Sequence, residues 1–122
     1  MMQEDYVSFE VAKLLKEKGF NEKVISYYDT EGQGYFISPR KCNIGTGSVY
    51  AAPTQAMAMK WLREVYNINI DIVSIWNKIR WEYQIIIITP QTAAKPYIHK
   101  TIYKEHEQAC ETAIKYCLEN FI

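Results

Sequence analysis

Large apolar and polar residues alternate in two neighbouring segments, Ile68-Asn69-Ile70-Asp71-Ile72 and Ile79-Arg80-Trp81-Glu82-Tyr83-Gln84-Ile85. A period of two residues is typical of a β-strand that buries one face and exposes the other. A two-residue turn at Asn77-Lys78 predicts a hairpin in which Ile72 lies opposite Tyr83. With this register one face of the hairpin is apolar and the other is polar, so pairing and burial agree.

Helical patterns flank this hairpin on both sides. Upstream, Thr54 can cap a helix whose apolar positions recur at helical spacing until Asn67 ends it. Downstream, residues 89–100 contain two prolines and are predicted to form a loop. The last predicted helix covers residues 103–119, and its buried stripe consists of His106, Ala109, Cys110, Ala113, Ile114, Cys117 and Leu118.

The first third of the chain predicts one more helix and two strands. Ser8 can cap the helix, and Gly19 suits the left-handed position just past its end. Residues 24–28 and 34–37 are rich in β-branched and aromatic residues and are joined by an Asp/Gly-rich turn. A long segment, residues 38–52, follows and is either a functional loop or hides a strand near residues 48–50.

The elements therefore follow the order α-β-β-α-β-β-α in a single α+β domain over residues 1–122. We expect one mainly antiparallel sheet of about four strands with the helices on one face. Leu14-Leu15-Lys16-Glu17 and Trp61-Leu62-Arg63-Glu64 match in residue type at every position. This match favours an α-β-β unit that occurs twice, as a duplication would produce.

The composition excludes several classes of protein. Fourteen Lys and Arg balance fourteen Asp and Glu among 122 residues, which excludes a strongly basic DNA binder and a strongly acidic DNA mimic. The first residues are polar and acidic, unlike a signal peptide or a basic transit sequence. The longest Ile run, residues 85–88, is far too short to span a membrane. Three cysteines without framework spacing fit a reducing compartment. We expect a cytoplasmic protein without a membrane partner.

Metal chemistry is not expected from the cysteines. His106, Cys110 and Cys117 share one helical stripe, but the first and last are roughly 16 Å apart at the helical rise. Only His106 and Cys110 could share an ion, and the sequence shows no second cluster of ligands. We therefore expect small buried thiols, with no metal and no cofactor.

Cys42 is the one candidate nucleophile. It follows Arg40 and Lys41, whose charges could lower the pKa of its thiol. A cysteine-dependent enzyme would also need His99 or His106 within hydrogen-bond reach as a base. A structural thiol, either facing solvent or packed in its loop, is the favoured interpretation.

Aromatic residues are concentrated on the two hairpins, and core packing is the default interpretation for most of them. A ring left exposed on the open sheet face would more often mark a protein contact than a nucleic-acid contact. We expect a protein partner on the open sheet face or the two long loops, either a second copy in a homodimer or a host or phage protein. A nucleic-acid partner is the alternative, with loop cations meeting phosphates and hairpin tyrosines meeting bases. The candidate partner-binding residues are Tyr27, Tyr35, Arg40, Lys41, Tyr97 and Lys100, and Lys95 is a further loop cation.

Several segments resemble small proteins of gut Bacteroides-type bacteria, their prophages and mobile elements. They are residues 7–20 (VSFEVAKLLKEKGF), residues 52–56 (APTQA) leading into residues 60–64 (KWLRE), and residues 107–114 (EQACETAI). No activity or catalytic residue is established for that group. The resemblance implies an intracellular accessory protein of a mobile element. Independently of the resemblance, the absence of a catalytic motif, the zero net charge and the number of large aromatic residues favour a non-enzymatic protein-interaction module over a nucleic-acid-associated factor or a small cysteine enzyme.

Overall fold

A computed structural model describes residues 5–43, 48–75, 80–88 and 96–122, and only the backbone of residues 96–101. Three helices and six strands occupy these ranges. Their bounds are α1 Phe9–Glu17, β1 Lys23–Tyr28, β2 Gly34–Lys41, β3 Tyr50–Ala51, α2 Gln55–Tyr66, β4 Ile68–Ile75, β5 Arg80–Ile87, β6 Pro96–Tyr103 and α3 His106–Asn120.

Helix α1 begins and ends where its sequence predicts. The side chain of Ser8 accepts a hydrogen bond from the Val11 amide at 3.2 Å. At the other end Gly19 takes a positive φ of 93°, and the Phe20 amide donates to the Leu15 carbonyl at 2.9 Å. These bonds satisfy backbone groups that a helix end would otherwise leave without partners.

Helices α2 and α3 differ in how well their starts were predicted. Thr54 caps α2 by accepting from the Met57 amide at 3.1 Å, and Asn67 ends it in the left-handed conformation with φ 57°. Helix α3 begins at His106 rather than at residue 103. Tyr103 is instead the last residue of a strand, buried with its ring stacked on Tyr83. The predicted buried stripe of α3 from Ala109 to Leu118 is confirmed.

The predicted hairpin of residues 68–88 is confirmed in register. Strands β4 and β5 pair antiparallel with Ile70 opposite Ile85, Ile72 opposite Tyr83 and Ser74 opposite Trp81. The predicted pair of residues 76 and 79 lies outside the described residues.

Strand β6 corrects the prediction of a loop over residues 89–100. It pairs antiparallel with β5 and makes the second sheet three-stranded, in the order β4-β5-β6. Pro96 begins this edge strand, where a residue without an amide hydrogen costs little ladder bonding. The β-branched and aromatic residues after Pro96 then outweigh the proline as a strand breaker. Residues 89–95 lie outside the described part of the chain.

The first sheet is separate from the second and has the order β2-β1-β3. Strand β2 runs on to Lys41, past Pro39, so the predicted loop of residues 38–52 begins later than expected. The hidden strand expected near residues 48–50 is β3 at Tyr50–Ala51.

The α+β class is confirmed, but the expectation of one sheet of about four strands is wrong. Each hairpin gains its own third strand, β3 on β1 and β6 on β5. The structure therefore has two three-stranded sheets instead of one, and helices rather than strand pairing connect them. The sheets also differ in order, since the central strand is the first after α1 in one and the second after α2 in the other. The two predicted α-β-β units therefore do not share one strand order.

Helices connect the two sheets through one hydrophobic core. Helices α2 and α3 pack on the apolar face of the second sheet, and α1 packs on β3 and on α3. One cluster of buried side chains includes Val24 of the first sheet, Tyr83 of the second and Leu15 of α1. The opposite face of the second sheet carries the polar positions predicted for it, Asp71, Arg80, Glu82 and Gln84.

Candidate functional site

The structure divides the six candidate partner-binding residues between the two sheets. Tyr27 and Tyr35 lie opposite each other on β1 and β2, and their rings stack with centroids 5.3 Å apart and an interplanar angle of 24°. Arg40 and Lys41 lie at the far end of β2, in a strand rather than in the predicted loop.

Tyr97 and Lys100 belong to the other sheet. Both are strand residues of β6, so placing them in a loop was wrong. Their side chains are outside the described part of the structure, and Lys95 lies outside the described residues altogether. The first sheet therefore brings four of the six candidate residues onto one hairpin, and it does not bring Tyr97 and Lys100 with them.

The most exposed large apolar side chain of the described residues is Phe36, which is 73% exposed. It stands on β2, an outer strand of the first sheet, between the predicted residues Tyr35 and Arg40. Tyr35 is 44% exposed, and the Tyr6 ring meets the Phe36 ring edge-on at 5.7 Å. We call Tyr6, Tyr35 and Phe36 the aromatic edge.

Sequence reasoning placed Phe36 among the hairpin aromatics but did not single it out as a site residue. The available signal was Pro39. A proline inside a strand pattern indicates an edge strand, and an apolar ring on an edge strand is only partly covered by its own sheet.

A structured turn holds the aromatic edge at its β1 end. The Asp29 amide donates to the Gln33 carbonyl at 2.9 Å, and Gly32 has φ 84°, as in a three-residue hairpin loop with a bulge. Asp29 Oδ1 accepts from the Glu31 and Gln33 amides, both at 2.9 Å, and Oδ2 accepts from the Tyr35 hydroxyl at 3.3 Å.

These bonds set the charge at this end of the hairpin. The hydrogen bond from the Gln33 amide, with those from Glu31 and Tyr35, holds the pKa of Asp29 below its ordinary value. The Asp29 charge in turn raises the pKa of Tyr35. The aromatic edge therefore begins at a carboxylate that stays charged, with Glu31 exposed beside it.

A second feature, which sequence reasoning missed, is an acidic groove of about 460 Å³ where α3 begins. Gln55 lines it, is 8% exposed, and donates through Nε2 to the Glu107 carbonyl at 3.0 Å and to Glu111 Oε2 at 3.2 Å. Glu111 Oε1 accepts from the Ser8 amide at 2.8 Å. These contacts join the starts of α1 and α2 to α3, which is a structural role. The acidic side chains of the groove are Asp5, Glu105, Glu107 and Glu111.

The structure also brings a thiol and an imidazole together. Cys110 Sγ lies 3.5 Å from His106 Nδ1, and the His106 ring meets the Trp81 ring edge-on at 4.9 Å. Burial, with the charges of Glu107 and other carboxylates nearby, raises the pKa of Cys110 to about 12. A nucleophilic cysteine needs a lowered pKa, and the pKa of Cys110 is shifted in the opposite direction.

The metal site weighed for His106 and Cys110 lacks further ligands. Among residues 5–43, 48–75, 80–88 and 96–122, no group of three or more His, Cys, Asp or Glu side chains is placed to hold an ion.

Cys42 is buried, at 4% exposure, and its Sγ lies 3.9 Å from the Arg40 carbonyl oxygen. It belongs to the hydrophobic core cluster. The imidazole of His106 contacts Cys110 and not Cys42, and the side chain of His99 is outside the described part of the structure. Cys42 is thus packed as a small hydrophobic residue, which fits the structural thiol favoured from sequence.

Within the part of the chain that the structure describes, none of the helices has the length and apolar character that crossing a lipid bilayer requires. Neither a protein-family model, nor a curated protein, nor a solved structure matches the chain.

Proposed function

We propose that the chain is a non-enzymatic protein-interaction module whose partner docks at the aromatic edge. The observation that supports this most is the 73% exposure of Phe36 on the outer strand of the first sheet. A phenyl ring left in water on an open strand gains apolar contact when another chain covers it. Tyr35, which is 44% exposed, adds apolar area on the opposite face of the same strand.

The charges near the aromatic edge favour a protein partner over a nucleic acid. The Tyr35 ring is already stacked on Tyr27, and its hydroxyl donates to the carboxylate of Asp29. A phosphate chain that reached this pair would meet the charges of Asp29 and Glu31, because both acids belong to the same turn. Arg40 and Lys41 lie at the other end of β2.

The setting we propose is that of an accessory protein of a mobile element, acting in a bacterial cytoplasm, as the resemblance of residues 7–20 and 52–64 implies. The three cysteines fit a reducing compartment, because all of them are free and buried in the structure.

Affinity capture from a native host lysate tests the proposal when three versions of the chain are compared. The wild type should retain a specific protein, Phe36→Ser should lose it, and Val65→Ser should keep it. Val65 is the matched control, because it is 53% exposed on α2. Bound protein and bound nucleic acid are both identified. Capture of a nucleic acid alone, or of a protein that Phe36→Ser retains equally well, would contradict the proposal.

A further inference from the structure

We infer that the partner at the aromatic edge is a second copy of this chain, paired antiparallel through β2 about a twofold axis at Phe36. This inference rests on the proposed function and names its partner. It follows from the backbone direction of β2, from the exposed ring and from the distribution of charge along the strand.

Among the described residues, the outward side of β2 at Phe36 pairs with no other strand. Ser26, which lies opposite Phe36, turns its carbonyl toward the other side of β1, where it accepts from the Ala52 amide at 3.0 Å. Bonded and non-bonded residue pairs alternate along an antiparallel ladder. Ser26 and Phe36 are therefore a non-bonded pair, and the amide and carbonyl of Phe36 point outward from the sheet. Gly34 is two positions away and points the same way.

A symmetric pair centred on Phe36 satisfies these groups. The Phe36 residues of the two copies would exchange two backbone hydrogen bonds across the axis, with Cα atoms about 5.5 Å apart. Their rings would lie side by side on one face, each next to its own Tyr6, whose ring is 5.7 Å from Phe36. The exposed apolar area at the rim of one sheet would cover that of the other.

Charge complementarity favours the same register. With Phe36 on the axis, the turn that carries Glu31 in one copy lies toward the end of β2 that carries Lys41 in the other. Because the axis is twofold, this approach of opposite charges occurs twice. Arg40 and Lys23 strengthen the basic end, since Lys23 pairs with Lys41 within one copy. Asp29 strengthens the acidic end. A parallel pair of β2 strands would instead place like charges together.

An irregularity in β2 fixes where the new ladder stops. The register of β2 on β1 shifts between the Ser26–Phe36 pair and the Val24–Arg40 pair, and a bulge of this kind interrupts regular pairing. The ladder is therefore centred on Phe36 and ends before Arg40.

Sedimentation analysis of charge variants tests this arrangement. The wild type should form a dimer of twice 14.3 kDa, and Phe36→Ser should be monomeric at the same concentration. Glu31→Lys and Lys41→Glu should each weaken self-association about tenfold, because two attractive contacts become repulsive.

Mixing those two variants should restore the dimer to wild-type strength. A dimer with one chain of each variant has opposite charges at both contacts. Added salt should reduce these differences. Val65→Ser is the matched control and should dimerise like the wild type, and circular dichroism should show that every variant is folded.

A wild type that stays monomeric at all concentrations would overturn the pairing. So would a dimer that the charge variants leave unchanged, or one that their mixture fails to restore. A monomer that still captures a host protein through Phe36 would overturn only this inference. The proposed function fails as well if Phe36→Ser alters neither self-association nor capture.

Discussion

Gly32 lies so close to Phe9 that a Cβ atom on residue 32 would come within 3.0 Å of Phe9 Cδ2. The same Phe9 ring meets the Tyr28 and Tyr50 rings edge-on, both at 5.6 Å. The turn of the first hairpin therefore rests on the first residue of α1, and the absence of a side chain at Gly32 makes this approach possible.

Replacing Gly32 with alanine should destabilise the fold more than replacing Gly19. Both glycines have positive φ, so each alanine should cost about 1 kcal/mol in backbone strain. Only Gly32→Ala also forces Phe9 to move, because a Cβ at residue 19 would have nothing within 4 Å. We expect a total of about 2–4 kcal/mol for Gly32→Ala. Urea denaturation measures both losses, and equal losses would show that the Phe9 contact is unimportant.

Gln55→Ala should destabilise the protein by about 1–3 kcal/mol, because the part-buried acceptors of this buried side chain would lose their donor. Its side chain donates to the Glu107 carbonyl and to the Glu111 carboxylate. Gln108→Ala is the matched control, since Gln108 lines the same groove but is exposed, and its loss should stay within about 0.5 kcal/mol. Thermal unfolding of both variants would decide the matter, and similar losses would contradict a structural role for Gln55.

Asp29 should make the protein less stable in acid. The hydrogen bonds of the turn lower its pKa in the folded state, so its contribution is complete above the unfolded value of about 4. That contribution is lost as the pH falls through the lower, folded pKa. Asp29→Asn keeps an acceptor oxygen but cannot titrate. Melting temperatures measured across the acidic range should therefore fall more steeply for the wild type, and parallel profiles would disprove the role of Asp29.

The three thiols should react slowly in the folded protein. Cys42, Cys110 and Cys117 are all buried, and burial raises the pKa of Cys117, like that of Cys110, to about 12. A colorimetric disulfide reagent near neutral pH should label them only as the chain opens, whereas in denaturant all three should react at once. A fast-reacting thiol that disappears in Cys42→Ala would restore the hypothesis of a cysteine enzyme.

Local patterns in the sequence were sufficient wherever a short segment determines its own structure. Ser8 and Thr54 begin helices and Asn67 ends one. Each does so through a hydrogen bond to a residue three to five positions away, so the neighbouring sequence contains the whole signal. The register of β4 and β5 was also predictable, because a slip by one residue would turn Ile70 and Ile85 outward.

Long-range pairing could not be predicted in the same way. Strand β6 begins with Pro96, which suggested a loop, and only the free edge of β5 gives residues 96–103 a partner. Strand β3 has two residues, too few for a period to show. Both strands pair along edges formed by other parts of the chain. Their addition to the two hairpins gives two three-stranded sheets where one sheet was expected.

The candidate site was predictable in part for a related reason. Tyr27 and Tyr35 were found because aromatic content is visible in sequence. The exposure of Phe36 depends on which strand is outermost, and that is a property of the sheet order. The contact of His106 with Cys110 follows from helical spacing. The raised pKa of Cys110 comes mainly from burial by elements distant in sequence.

The brevity of β3 limits how large an assembly can grow. If two copies pair along β2, the outer strand on each side of the joined sheet is β3. Its two residues have too few backbone groups to pair with a strand of a further copy. Polymerisation into fibres would need a long, flat rim, which this sheet lacks on that side. Growth of an assembly through the first sheet should therefore stop at two copies joined along β2.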